Sequence, residues 1–255
     1  MVVAGGRVDG GRVDTTDVAL IFGADGYLRP GAGGCPLRDL VRRDVRKLMD
    51  LLVSIDIRWV KIGDTMAKEL ADLLRKCPSV TSLDVQDNFI TCIGCMELAR
   101  ALSTPQTRVA SLNLSGNRVA DLGAATVSSM LLANSSLTHL DLSGNRLERQ
   151  AMEGIGGGLR GNTTLKTLLL DENFFGDEGA NELGWAITYN STLRTVSLRG
   201  NVCCPPRLPD CLSLRVRTAL RDGASLPVFD VAAGSTHLTV PLLKRDTAPT
   251  ALRSP

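Results

Sequence analysis

Five asparagines, Asn88, Asn117, Asn145, Asn173 and Asn201, recur at intervals of 29, 28, 28 and 28 residues, and each closes the same short phrase. The phrases read LDVQDN, LNLSGN, LDLSGN, LLLDEN and VSLRGN. A fixed period in this range marks a solenoid, in which one supersecondary unit is stacked many times. A single unit of this size cannot bury its own apolar face, so its stability comes from its neighbours.

Counted from the asparagine, position −8 holds Val80, Val109, Leu137, Leu165 and Leu193. Position −5 holds Leu83, Leu112, Leu140, Leu168 and Val196, and position −3 holds Val85, Leu114, Leu142, Leu170 and Leu198. The alternation around −5 and −3 predicts a short strand with its aliphatic side chains inward. Beyond the asparagine the period changes. Gly94, Gly123, Ala151 and Gly179 fall at +6, then Leu98, Val127, Ile155 and Leu183 at +10, and Leu102, Leu131, Leu159 and Ile187 at +14. A spacing of four places the last two sets on one helical face. Each unit is therefore strand, turn, helix and return. Strands pack about 4.8 Å apart and helices about 8–10 Å, so the stack must bend with its strands on the concave side.

The asparagine amide donates and accepts at once, and is read as a structural ladder satisfying backbone groups in a buried turn. Upstream, Val60 stands at the ladder position, with Leu52, Ile55 and Ile57 at the strand positions and a helix over about Thr65 to Arg75. Leu37, Val41, Val45 and Leu48 fit one face of a basic helix, preceded by a degenerate strand over Val18 to Phe22 with Asp25 in the asparagine's place. Downstream, Cys211 to Leu220 reads as a final helix and SLPVFDV as an end strand covering the last unit. The expected division is a disordered Gly-rich segment at 1–16, a repeat domain at 17–231 with degenerate first and last units, and a flexible tail at 232–255.

The pattern L-x-x-L-x-L-x-x-N over Val80 to Asn201 resembles the ribonuclease-inhibitor-like subfamily of leucine-rich repeat proteins, with units of 28 residues. The resemblance implies an α/β solenoid: a short right-handed horseshoe arc with parallel strands on the concave face and helices on the convex face. It implies a protein-binding scaffold without chemistry of its own. Relatives include ribonuclease inhibitors, repeat portions of immune receptors, tropomodulin-like actin cappers, axonemal subunits and Ran GTPase-activating proteins. The matching residues are scaffold residues, which select a fold and not a partner.

Composition narrows the partner class. With 29 basic and 27 acidic residues the net charge is +2, which disfavours nucleic acid or an anionic membrane as the main partner. No apolar run approaches the roughly 18 residues of a membrane span. The N-terminal MVVAGGRVDGGRVD has no basic cluster followed by an apolar stretch, so no secretory signal is read and the seven cysteines are taken as reduced thiols in the cytoplasm. Cytoskeletal association is compatible with the same reading.

Outward strand positions supply the candidate protein-binding face. At −4 stand Asp56, Asp84, Asn113, Asp141, Leu169 and Ser197, and at −2 Arg58, Gln86, Ser115, Ser143, Asp171 and Arg199, with His139 at −6. Asp56, Asp84 and Asp141 form a mildly acidic strip that either receives a basic or polar protein surface or is simply solvated. Trp59, Phe89 and Phe174 flank the ladder at the strand-to-helix edge, as binding anchors or as covers for the core. Cys92 and Cys95 form a C-x-x-C at a helix start, where a dipole can lower a thiol pKa, but no second pair completes a metal site. Three N-x-S/T sequons at Asn134, Asn162 and Asn190 repeat with the units and are read as left-handed helix caps. No cofactor or catalytic grouping is found around His139 or His237, and the glycines of Gly23 to Gly34 lack a phosphate-loop ending.

The leading expectation is a non-catalytic interaction module, one copy within a hetero-complex. Two alternatives stay open. One is a GTPase activator resembling the Ran-directed family, with Arg58 and Arg118 near the strand edge. The other is a cytoskeletal or axonemal subunit.

Overall fold

The computed structural model describes residues 52–201, together with the backbone of the short strands at 19–22, 27–30, 35–36 and 228–230. The segments 1–16 and 232–255, the basic helix through Leu37 to Leu48 and the helix expected at Cys211 to Leu220 lie outside the described residues.

Three short strands come first: β1 Ala19–Phe22, β2 Tyr27–Pro30 and β3 Cys35–Pro36. The repeating part then alternates β4 Ser54–Asp56, α1 Gly63–Lys76, β5 Ser82–Asp84, α2 Cys92–Leu102, β6 Ser111–Asn113 and α3 Ala120–Ala133. It continues through β7 His139–Asp141, α4 Arg149–Gly161, β8 Thr167–Leu169, α5 Gly176–Tyr189 and β9 Thr195–Ser197, and β10 Val228–Asp230 follows. Among the described residues these strands form one sheet in the order β10-β9-β8-β7-β6-β5-β4-β2-β1-β3.

From β4 to β9 every pairing is parallel and strictly registered, so Ile55, Leu83, Leu112, Leu140, Leu168 and Val196 lie side by side. All three inward strand rows are buried, as are the +10 and +14 rows of the helices, and together they make one continuous core. This is the α/β leucine-rich repeat solenoid. The end strand expected within SLPVFDV is present as β10, parallel to β9 with Phe229 opposite Val196.

The N-terminal end differs from expectation. The strand at Ala19–Phe22 exists but does not sit next to β4. It pairs antiparallel with β2, and β2 supplies the parallel neighbour of β4, with Leu28 opposite Ile55. Asp25, expected in the ladder position, lies outside the described residues. The repeat spacing fails here because an antiparallel strand pair, rather than another unit, extends the sheet.

The ladder reading holds in detail. The Asn117 amide nitrogen donates to the carbonyls of Val85, Leu114 and Ser115, and its Oδ1 accepts the backbone N–H groups of Asn88 and Ile90 at 3.0 and 2.9 Å. Asn88, Asn145 and Asn173 do the same one unit along. Each side chain thus joins its own turn to the one before it, out of reach of water.

The residue before each ladder position is left-handed in all six units: Trp59, Asp87, Gly116, Gly144, Glu172 and Gly200 have φ between 54° and 67°. After the ladder, two turn forms alternate. In the Asn88 and Asn145 units the next residue, Phe89 or Arg146, is left-handed and the helix starts four residues after the asparagine. In the Asn117 and Asn173 units the left-handed residue is instead Ala120 or Gly176, and the helix starts there. A carboxylate ties the forms together: Asp64 of α1 accepts from the Thr91 backbone N–H, the Thr91 hydroxyl and the Gly94 N–H, and Asp121 of α3 accepts from Glu148 N–H.

Candidate functional site

The outward sheet face carries two rows of polar side chains brought into line by the register of β4 to β9. Much of their hydrogen-bonding capacity is used locally. Asp84 Oδ1 accepts the Gln86 N–H at 3.1 Å, Asn113 accepts from Ser115, and Asp141 accepts the Ser143 N–H at 2.9 Å. These are Asx turns, in which a short side chain replaces the backbone partner lost where the strand ends. Asp171 is shared between the Ser197 hydroxyl at 2.6 Å and the Arg199 N–H at 2.7 Å.

The acidic strip is also partly neutralised. The Arg58 guanidinium forks onto Asp56 through bonds of 2.9 and 2.8 Å, and its Nε lies 3.6 Å from Asp84. The hydrogen bond and charge of Asp56 raise the Arg58 pKa, so that cation is held and is not a free finger. Burial pushes the Asp84 carboxyl up, opposed by the Gln86 and Asn113 hydrogen bonds and the Arg58 charge. Asp84, Gln86, Asn113, Asp141 and Asp171 remain partly open to solvent, and His139 and Arg199 are exposed. His139 Nδ1 sits 2.8 Å from the Thr138 hydroxyl.

The edge aromatics stand outside the core. Trp59, Phe89 and Phe174 are 63 %, 45 % and 56 % exposed, whereas the neighbouring Phe175 is buried. The left-handed backbone at Trp59 and Phe89 turns both side chains out of the strand-to-helix edge. Trp59 is fixed there by an indole N–H to Asp87 bond of 2.8 Å and by the Arg58 guanidinium 5.0 Å from its ring centroid. Phe89 lies between cations of the two adjoining units: Lys61 Nζ at 5.9 Å and the Arg118 guanidinium at 4.8 Å. Sequence reasoning missed Lys61 and Arg146. Counting one residue past the ladder finds both, since Lys61, Phe89, Arg118, Arg146 and Phe174 all occupy that position and all are exposed.

Two further sequence readings resolve. Cys95 is buried and its thiol is pushed up to about 12 by desolvation, so the helix dipole does not activate it; Cys92 is half-buried and both are free thiols. The asparagines of the three sequons are not left-handed, with φ of −85°, −80° and −94°. They form a second buried ladder instead. Asn134, Asn162 and Asn190 donate to Leu102, Leu131 and Leu159 of the preceding unit, and accept the N–H groups that open their own strand return. A buried amide bonded on both sides cannot accept a glycan. Among the described residues no helix is long and apolar enough to cross a membrane, and no three His, Cys, Asp or Glu side chains converge.

Comparison with curated proteins gives no match. Solved structures similar to this chain include leiomodin-1 actin-binding site 2, at 20 % identity over 61 % of this chain and 94 % of that one, with a TM-score of 0.47. A complex of TLR13 with ssRNA13 is similar at 16 % identity over 69 % of this chain, with a TM-score of 0.41, and this chain spans 29 % of its length. Likeness at this level carries no argument about partner or activity. The family model described as Leucine Rich repeat matches residues 76–99, 109–128, 133–156 and 161–184, the same stretch in which the asparagine ladder and the registered strands recur. The chain carries leucine-rich repeats.

Proposed function

We propose that this chain is a protein–protein interaction module on a ribonuclease-inhibitor-like scaffold, acting as a subunit or adaptor of a larger assembly. Its outward sheet face receives a polar or basic surface of the partner. The observation that carries this reading is the alignment of Asp56, Asp84, Asp141 and Asp171 against only Arg58 and Arg199 on six registered strands. Rigid elements hold these groups at fixed spacing, which lowers the ordering cost a partner meets on docking. A row of fixed charges also selects partners by complementarity. The fold presents surfaces, and the family to which these repeats are similar typically uses them to bind proteins.

The test is co-purification from native cells of tagged wild type beside an Asp84→Lys/Asp141→Lys variant whose urea midpoint is first shown to match. A partner recovered with the wild type and lost from the variant is expected. Identical partner sets, identified by mass spectrometry, would sink the sheet-face assignment.

A further inference from the structure

The row one residue past the ladder differs in chemistry from the sheet face. Lys61, Phe89, Arg118 and Arg146 follow one another along the strand-to-helix edge with no carboxylate among them. Among the described residues none of these three cations is in an ion pair; the bridges found join other groups. Their positive charge is therefore available, unlike that of Arg58. Apolar surface adjoins it. Ile93 and Leu122, in the first turns of α2 and α3, are 59 % and 75 % exposed, and Trp59 stands at the other end.

The backbone gives a second reason to treat this edge as more than surface. Trp59 takes a left-handed conformation, φ 58°, at a position where three of the six units place glycine. A bulky side chain there carries backbone strain, and such strain persists where a site uses it. Here the strained residue is also exposed and clamped by Asp87 and Arg58, so its ring is held in place before any partner arrives.

From this we infer that the edge from Trp59 to Arg146 is a docking rail for an acidic, extended segment of a partner protein. The inference rests on the chain being a protein-binding module, but not on the sheet face being its site. Carboxylates of the segment meet Lys61, Arg118 and Arg146, and its apolar side chains lie on Trp59, Phe89 and Leu122. A segment of alternating acidic and apolar residues fits best, because successive side chains of an extended chain point to opposite sides. The alternative class, single-stranded nucleic acid, needs aromatic faces on which bases stack. The ring of Phe89 already has a cation from each adjoining unit at 5.9 and 4.8 Å from its centroid, so a base stacking there would have to compete with them.

Phage display of random twelve-residue peptides against the full chain tests the inference, with enriched peptides then measured by fluorescence anisotropy. Variants are Lys61→Glu/Arg118→Glu, Phe89→Ala and Asp84→Lys/Asp141→Lys, each checked for an unchanged urea midpoint. The expected result is an acidic–apolar consensus whose affinity falls at least 10-fold in the first two variants and stays within 2-fold in the third. Loss confined to the third variant would overturn the rail while leaving the sheet-face reading intact. No enrichment, or a consensus without carboxylates, would overturn it as well. A labelled oligouridylate that outcompetes the peptides and depends on the same residues would reassign the edge to nucleic acid.

Discussion

Replacing Asn117 by alanine gives a direct test of how the stack is held. The Asn117 side chain accepts the N–H groups of Asn88 and Ile90 and donates to the carbonyls of Val85, Leu114 and Ser115. Two of those carbonyls have other donors: Leu114 accepts from Asn145, and Ser115 from the Asp87 N–H. Three groups are left without the bonds seen here, namely the Asn88 N–H, the Ile90 N–H and the Val85 carbonyl. At about 1–3 kcal/mol for each buried unpaired group, the cost is on the order of 3–9 kcal/mol. That is a large part of the roughly 5–15 kcal/mol that holds a domain folded. The end of the ladder supplies an internal control. Among the described residues Asn201 Oδ1 has no partner, and of the carbonyls Asn201 bonds, Leu170 also accepts from Asn173 and Arg199 from the Glu172 N–H. Only Leu198 O loses its donor, so Asn201→Ala should cost about 1–2 kcal/mol. Urea unfolding followed by circular dichroism reads both values, and a fall in m would show that the array has split at the third unit. Equal costs for the two variants, or less than about 1 kcal/mol for Asn117→Ala, would refute the ladder as the link between units.

Three other outcomes can be checked with the same protein. On α4, a Cβ at Gly158 would lie 2.7 Å from the Ser128 carbonyl oxygen of α3, whereas one at Gly154 would meet nothing closer than 3.8 Å. Gly158→Ala should therefore lose about 1–3 kcal/mol through forced helix separation, and Gly154→Ala should gain about 0.5–1 kcal/mol of helix propensity, both read as urea midpoints. Iodoacetamide at pH 8 should alkylate Cys92 and spare Cys95, whose buried thiol is pushed up to about 12; mass mapping that finds both modified at one rate would contradict its burial. The Asp84 carboxyl has a folded pKa above the ordinary 3.8, so folding favours its protonated form. Its ionisation costs stability that is intact below the ordinary value and is lost as pH rises through the folded one. Asp84→Asn keeps the acceptor for Gln86 without the charge, and wild type should lose ground to this variant between pH 3 and pH 7. A difference of opposite sign would show that Arg58 outweighs the burial.

The scaffold was legible because its signals repeat. Leu83, Leu112, Leu140 and Leu168 are each ordinary leucines, but their shared offset from the asparagine predicts a strand in register, and the register follows. The same counting finds the buried helix rows. It fails where repetition stops. The strand pair of β1 and β2 has no counterpart in the units, so reading the first strand as one more degenerate unit put the wrong strand beside β4. It also fails where one residue type serves two conformations. Asn134, Asn162 and Asn190 carry the composition of a left-handed cap, yet their side chains gain more by bridging Leu102, Leu131 and Leu159 to the following strand, and that geometry needs an extended backbone.

The candidate surfaces were legible in position and not in state. Alternation places Asp56 and Arg58 on one face, but only coordinates show that they neutralise each other. The two turn forms matter most for the edge. Phe89 and Phe174 hold the same offset from the ladder, so sequence counts them as equivalent. Phe89 belongs to the form that is left-handed one residue after the asparagine. Phe174 belongs to the other, and its N–H donates to Leu147 O of the preceding unit. The alternation is written in the sequence at a period of two units, through Asp64, Asp121 and Asp177 four residues past every second ladder position. A search for one repeat of 28 residues averages it away. Read at the doubled period, the edge divides into two kinds of site. The Trp59–Phe89–Arg118 end joins a left-handed anchor to unpaired charge on both sides, which is why the docking rail is placed there rather than at Phe174.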